Sequence, residues 1–171
     1  MPRVRGCGCS AAETVIASRR MDRGRSVRLE AGTASHTGLI RASNQDSVGL
    51  VEGLYVVADG MGGHRGGEVA SAEAVAAMLT VFDRRDRAGL VSAVRSANRT
   101  ILEMTVTRPD LSGMGTTLCA LAVANSASGD EVLAVANIGD SRVYRFAAGE
   151  LVQVSDDHSL VADLMRAGEL T

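Results

Sequence analysis

The eleven residues Leu54-Tyr55-Val56-Val57-Ala58-Asp59-Gly60-Met61-Gly62-Gly63-His64 constrain the fold more than any other segment of the chain. Leu54 to Ala58 is a run of apolar β-formers that belongs inside a sheet, so Asp59 must emerge at the end of a strand. An ionised carboxylate persists there only if it is hydrated, paired or bound to a metal. Glycines 60, 62 and 63 then let the backbone turn tightly and approach a ligand closely. If Asp59 holds a hard cation, the Gly60 carbonyl is the obvious second oxygen, because Mg²⁺ and Mn²⁺ favour carboxylate, carbonyl and water ligands. Asp-Gly is equally an ordinary turn dipeptide after a strand, and the segment alone leaves both readings open.

The rest of the chain sets the frame for that strand. With 171 residues, 46% of them apolar and 22% charged, it can bury a core as one domain. No apolar run reaches the roughly 18 residues of a membrane span, and the arginine-dotted beginning lacks the apolar centre of a secretory signal, so the cytoplasm is the expected compartment. A net charge of -2 with 2% aromatic residues argues against nucleic acid as a partner. Cys7, Cys9 and Cys119 do not complete a tetrahedral zinc site and read as reduced thiols, Cys119 as a small core residue.

Residues 1–27 carry glycines and arginines without sustained periodicity and are expected to form a flexible extension. A short strand is expected from Arg28 towards Thr37-Gly38, and a second from Ser47 to Ala58 broken by a turn at Glu52-Gly53. Val69, Ala72, Val75, Ala76, Leu79 and Phe82 fall at helical spacing, as do Leu90, Val91, Val94, Ala97, Ile101 and Leu102. Strands are predicted over 116–124, 132–137, 142–146 and 151–154, followed by a helix from about Asp157 with no evident stop. Strand runs separated by a helical pair, with tight turns, predict an α+β fold with antiparallel sheets.

Asp59 has company. Arg41-Ala42-Ser43-Asn44-Gln45-Asp46-Ser47 stands upstream, and Gly113-Met114-Gly115-Thr116-Thr117, Asn137-Ile138-Gly139-Asp140-Ser141-Arg142 and Ser155-Asp156-Asp157-His158-Ser159-Leu160 follow downstream. These five segments, in this order, resemble the metal-dependent protein phosphatases, the PPM or type 2C family, and among them the bacterial serine/threonine phosphatases. The resemblance implies two packed antiparallel β-sheets flanked by helices. It also implies hydrolysis of phosphoserine and phosphothreonine in proteins by water activated at two Mn²⁺ or Mg²⁺ ions. By resemblance Asp59 bridges the two metals with the Gly60 carbonyl beside it, Asp46 lies in or next to the coordination shell, Asp140 is a ligand for a third ion, and Arg41 grips the substrate phosphate. Partners implied are phosphorylated proteins, with a serine/threonine kinase and its substrates among them.

The chain departs from the family pattern in several places. Met61 stands where animal members carry a histidine proposed as proton donor, and His64, although histidine as a residue type can exchange protons near neutral pH, is not assigned that task. Gln45 keeps an oxygen acceptor but lacks the charge of the glutamate often found there. Asp157-His158 reads equally as the cap of the last helix. Two further metal-binding aspartates of the family have no counterpart before Thr171, so residues 28–171 are expected to be the N-terminal part of such a domain, weakly active or inactive alone. That absence also motivates an alternative: a non-catalytic module, a pseudophosphatase, that binds phosphoproteins without cleaving them.

Overall fold

The computed structural model describes residues 29–62 and 66–169. The extension expected over 1–27, with Cys7 and Cys9, and His64 in the glycine loop lie outside the described residues. Apolar alternation and the left-handed Gly53 (φ 84°) fold β1 (Asp46–Val51) back onto β2 (Leu54–Met61) as an antiparallel hairpin. Two helices follow, α1 (Gly66–Val81) and α2 (Arg87–Thr107), and a 3₁₀ turn at Pro109–Leu111. The chain then forms β3 (Gly115–Thr116), β4 (Leu118–Asn125), β5 (Glu131–Ile138), β6 (Tyr144–Ala147), β7 (Glu150–Gln153) and α3 (Leu160–Arg166).

The architecture is the α+β arrangement expected, with two antiparallel sheets and three helices among the described residues. The larger sheet runs β1-β2-β4-β5 with β3 paired to the end of β2, and the smaller is the β6-β7 ribbon. Alternation on β2 sends Leu54, Val56 and Ala58 to the side covered by the helices, where all three are buried. Small residues let α1 approach that side closely: it buries Gly66, Gly67, Ala70, Ser71, Ala74, Val75 and Met78. A Cβ on Gly49 of β1 would collide with the Val75 side chain. The buried stripe of α2, Leu90, Ala93, Ala97 and Ile101, closes the same core. Full burial of side chains such as Leu54, Val56 and Met78 contributes about 1.5–3 kcal/mol each.

Three local expectations need correction. Residues 29–36 form no strand; they hold no apolar alternation, and nearly all are exposed, so nothing rewards pairing them. The last helix is capped by Ser159, whose hydroxyl accepts from the Ala162 N–H at 3.2 Å, and not by Asp157. It also has a stop. Gly168 adopts φ 74°, its N–H donates to the Met165 carbonyl, and the Glu169 N–H donates to that of Leu164, which is the glycine-terminated helix end known as the Schellman motif.

Candidate active site

Pairing within the β1–β2 hairpin sets Asp46 directly across from Asp59, on the side of the sheet away from the helices. Two carboxyls side by side cannot both ionise freely. Asp46 is accordingly held above the ordinary carboxylate range, first by burial, then by the Asp59 charge and the hydrogen bond between the two groups, with Arg41 pulling the other way.

The backbone of Asp59 is clamped from the β3–β4 segment. Its N–H donates to Thr117 Oγ1 at 3.1 Å, and its carbonyl accepts from the Thr117 N–H at 2.9 Å and from Thr116 Oγ1 at 3.0 Å. Thr117 is buried, and its hydroxyl also meets Ser141 Oγ at 2.6 Å. That contact, with the left-handed Gly139 (φ 92°) lying against the Thr117 methyl, draws the turn after β5 to the site and brings Asp140 with it.

Gly60 is where strand and helix meet. A Cβ there would collide with the Gly67 carbonyl, and a Cβ on Gly67 would meet the Gly60 carbonyl at 2.8 Å. Only glycine at both positions lets the start of α1 close on the end of β2. The Gly60 N–H donates to the Gln45 carbonyl at 3.0 Å, and Ser71 of α1 donates to the same oxygen at 2.6 Å, so the segment leading into Asp46 is fixed by the helix and the strand together.

These contacts produce an open cleft of about 560 Å³ lined by Arg41, Gln45, Asp59, Gly60, Thr117 and Asp140 among others. Arg41, Asp59, Gly60 and Asp140, which sequence reasoning singled out, therefore share one cleft, and Asp46 stands beside Asp59. Asp157 and His158 do not line it. Asp157 accepts both Nε and Nη2 of Arg142, and the backbone N–H of His158 donates to the Gly139 carbonyl. Thr117 and Ser71 were missed as supporting residues. The Thr116-Thr117 pair after Gly115 carried a signal, whereas Ser71 looks like any small residue on an apolar helix.

The chemistry of the donors suits a hard divalent cation, since paired carboxylates that repel one another and a nearby carbonyl are oxygen ligands of the preferred kind. Such ions take about six oxygens or more. Among the described residues no three His, Cys, Asp or Glu side chains converge on one point, so the cleft could supply only part of a coordination shell.

Residues 40–164 match the family described as Protein phosphatase 2C. The serine/threonine protein phosphatase PstP of Mycobacterium tuberculosis is 40% identical over 147 residues, which are 84% of this chain and 28% of that protein. The serine/threonine phosphatase stp of Listeria monocytogenes is 38% identical over 149 residues, covering 78% of this chain and 56% of its own. Among solved structures, the catalytic domain of PstP in complex with two manganese ions superposes with a TM-score of 0.69 at 36% identity, covering 94% of this chain and 61% of that one. The chain thus spans less than two thirds of each of these relatives.

Proposed function

The chain belongs to the protein phosphatase 2C family, and from that premise we propose that its cleft serves metal-dependent hydrolysis of phosphoserine and phosphothreonine in proteins. Because the chain spans only part of its relatives' length, turnover is proposed of the phosphatase domain to which residues 28–171 correspond in part. One observation carries the reading: the Asp46–Asp59 pair stands at the cleft that Arg41 also lines.

Asp59, Asp46 and the Gly60 carbonyl would hold two Mn²⁺ or Mg²⁺ ions, and Asp140 a third. When bound, such ions supply neutralisation of phosphoryl oxygens and a water acidic enough to act as nucleophile near neutral pH. Arg41 binds the substrate: its guanidinium is always charged and can hold two phosphate oxygens at once. Thr117 keeps the Asp59 backbone and the Asp140 turn in fixed relation through its hydroxyl. Met61, half-exposed at the rim, offers no proton, and no histidine lines the cleft among the described residues. The proposed partners are phosphorylated proteins, including a serine/threonine kinase and its substrates, and a role in signalling is part of the proposal. No helix among the described residues is long and apolar enough to cross a membrane, and a cytoplasmic location is part of the same proposal.

Titration of Mn²⁺ into this chain, followed calorimetrically, tests the site. Binding is expected in the wild type and its loss in Asp59→Asn; a wild-type chain indifferent to Mn²⁺ would overturn the reading. A second reading, a phosphoprotein-binding module without catalysis, is favoured by the absence, among the described residues, of three metal-ligating side chains converging on one point. Phosphopeptide binding that EDTA leaves unchanged would select it.

A further inference from the structure

Five of the ten arginines among the described residues are ion-paired, and three of the other five share α2. Arg84, Arg85, Arg108, Arg142 and Arg166 each pair with an aspartate or glutamate at 2.5 to 3.9 Å. Arg87, Arg95 and Arg99 form no ion pair among the described residues, and all three are exposed on α2. They line one open groove of about 770 Å³, together with Val81 at the end of α1 and with Val91 and Ser92 of α2. At 1.5 Å rise per residue, Arg87 to Arg99 spans about 18 Å of helix. Glu103, a turn beyond Arg99, is the one acid on α2. A chain of net charge -2 therefore presents a concentrated positive strip in a concave surface.

We propose that this groove docks an acidic segment of a partner protein, its carboxylates taken by the guanidinium forks of Arg87, Arg95 and Arg99. Arginine suits the task because its planar fork bonds a carboxylate at two points. Val81 and Val91 give the methylene stems of bound side chains an apolar floor, and the Ser92 hydroxyl can donate or accept. Nucleic acid fits less well, since three charges over that length neutralise few phosphates and no aromatic ring lines the groove for stacking. A lipid surface fits less well too: the apolar stripe of α2 is buried in the core, and the groove offers a bilayer only two valines and an alanine among the described residues.

The groove is remote from the cleft. The cleft lies at the Gly66 end of α1 and the groove at its Val81 end, and sixteen helical residues separate them by about 24 Å. An extended peptide needs about seven residues to cover that distance. A segment docked here is thus well separated in sequence from any residue in the cleft, and its binding needs neither metal nor the Asp59 site.

The test uses the 171-residue chain in EDTA, so that its outcome is independent of the metal reading. A fluorescein-labelled peptide of about eight residues, rich in glutamate, is titrated by fluorescence anisotropy beside its glutamine counterpart. The glutamate peptide is expected to bind and the glutamine peptide not to. Arg95→Glu with Arg99→Glu should weaken binding about ten-fold or more, and the milder Arg95→Gln with Arg99→Gln should weaken it in the same direction at unchanged circular dichroism. Arg145→Glu, on the exposed β6, should leave binding as it was. The proposal is overturned if the glutamate peptide fails to bind, or if it binds the α2 variants as it binds the wild type. Tighter binding through the same arginines to phosphatidylglycerol vesicles, or to a single-stranded oligonucleotide of equal charge, would overturn it as well.

Discussion

Leu54, Val56, Ala58, Ala70, Ala74 and Met78 are closed off from solvent, whereas all four residues of β6 are exposed and α3 buries none. The first region, strands β1, β2 and β4 with α1 and α2, is held by interlocking apolar side chains and by helix–strand approaches that only glycine permits. The second, residues 139–169, is held by polar ties: Arg142 on Asp157, Asn137 on the Asp156 carbonyl, and Ser155 Oγ accepting from the Val143 N–H. Apolar packing is cooperative and sets global stability, while a few polar ties, even the half-covered Arg142–Asp157 pair, fix mainly local geometry. The proposed site stands at the seam, with Asp59 anchored in the packed region and Asp140 brought by a turn of the tethered one.

That contrast can be broken in four ways. Met78→Ala should cost about 2–5 kcal/mol, because it leaves a cavity in the packed region. Urea unfolding measures this, and a loss well under about 1 kcal/mol would show that the region is not close-packed. Next comes the seam. Thr117→Val leaves the Asp59 N–H and Ser141 without their partner and should cost about 1–3 kcal/mol, with Thr117→Ser recovering most of it.

In the tethered region, Arg142→Ala should speed amide hydrogen exchange over residues 144–153 without moving the unfolding midpoint. A global shift as large as that of Met78→Ala would erase the distinction between the two regions. The smallest effect is expected from Asp86, which caps α2 by accepting from the Gly89 N–H at 2.7 Å. That hydrogen bond, then Arg84, holds its carboxyl below the ordinary range. Its stabilising contribution is therefore fully present above the unfolded value of about 3.9 and is lost as pH falls through the lower folded value. Thermal midpoints of the wild type and Asp86→Asn should differ at neutral pH and converge in acid.

Much of the packed region was legible in the sequence. The alternation before Asp59, the Glu52-Gly53 turn and the helical spacing of Val69 to Phe82 and Leu90 to Leu102 each express a local period, and the observed elements follow them. The short strand expected from Arg28 towards Gly38 is absent over the described residues 29–38, because a strand needs a partner and a buried face, which single-residue preferences do not supply. The helix stop at Gly168 is written in the sequence as a glycine, but only its φ of 74° shows that it ends the helix. Asp157, open in the sequence between a cap and a part of the site, is neither, because whether a carboxylate caps a helix or pairs with a distant arginine is decided by what lies across from it in space.

By itself the sequence determined the order and type of most elements and the family resemblance carried by five short segments, and it put Asp59 just past a strand that in the structure runs on to Met61. These follow from local backbone preference and apolar periodicity, which act over a few residues. Only the tertiary structure decided that Asp46 lies opposite Asp59, that Thr117 links Asp59 to the Asp140 turn, and that Gly60 and Gly67 touch. Such pairings join residues far apart in the chain, and register, packing and the exclusion of a single Cβ select them from many arrangements that the same local preferences allow.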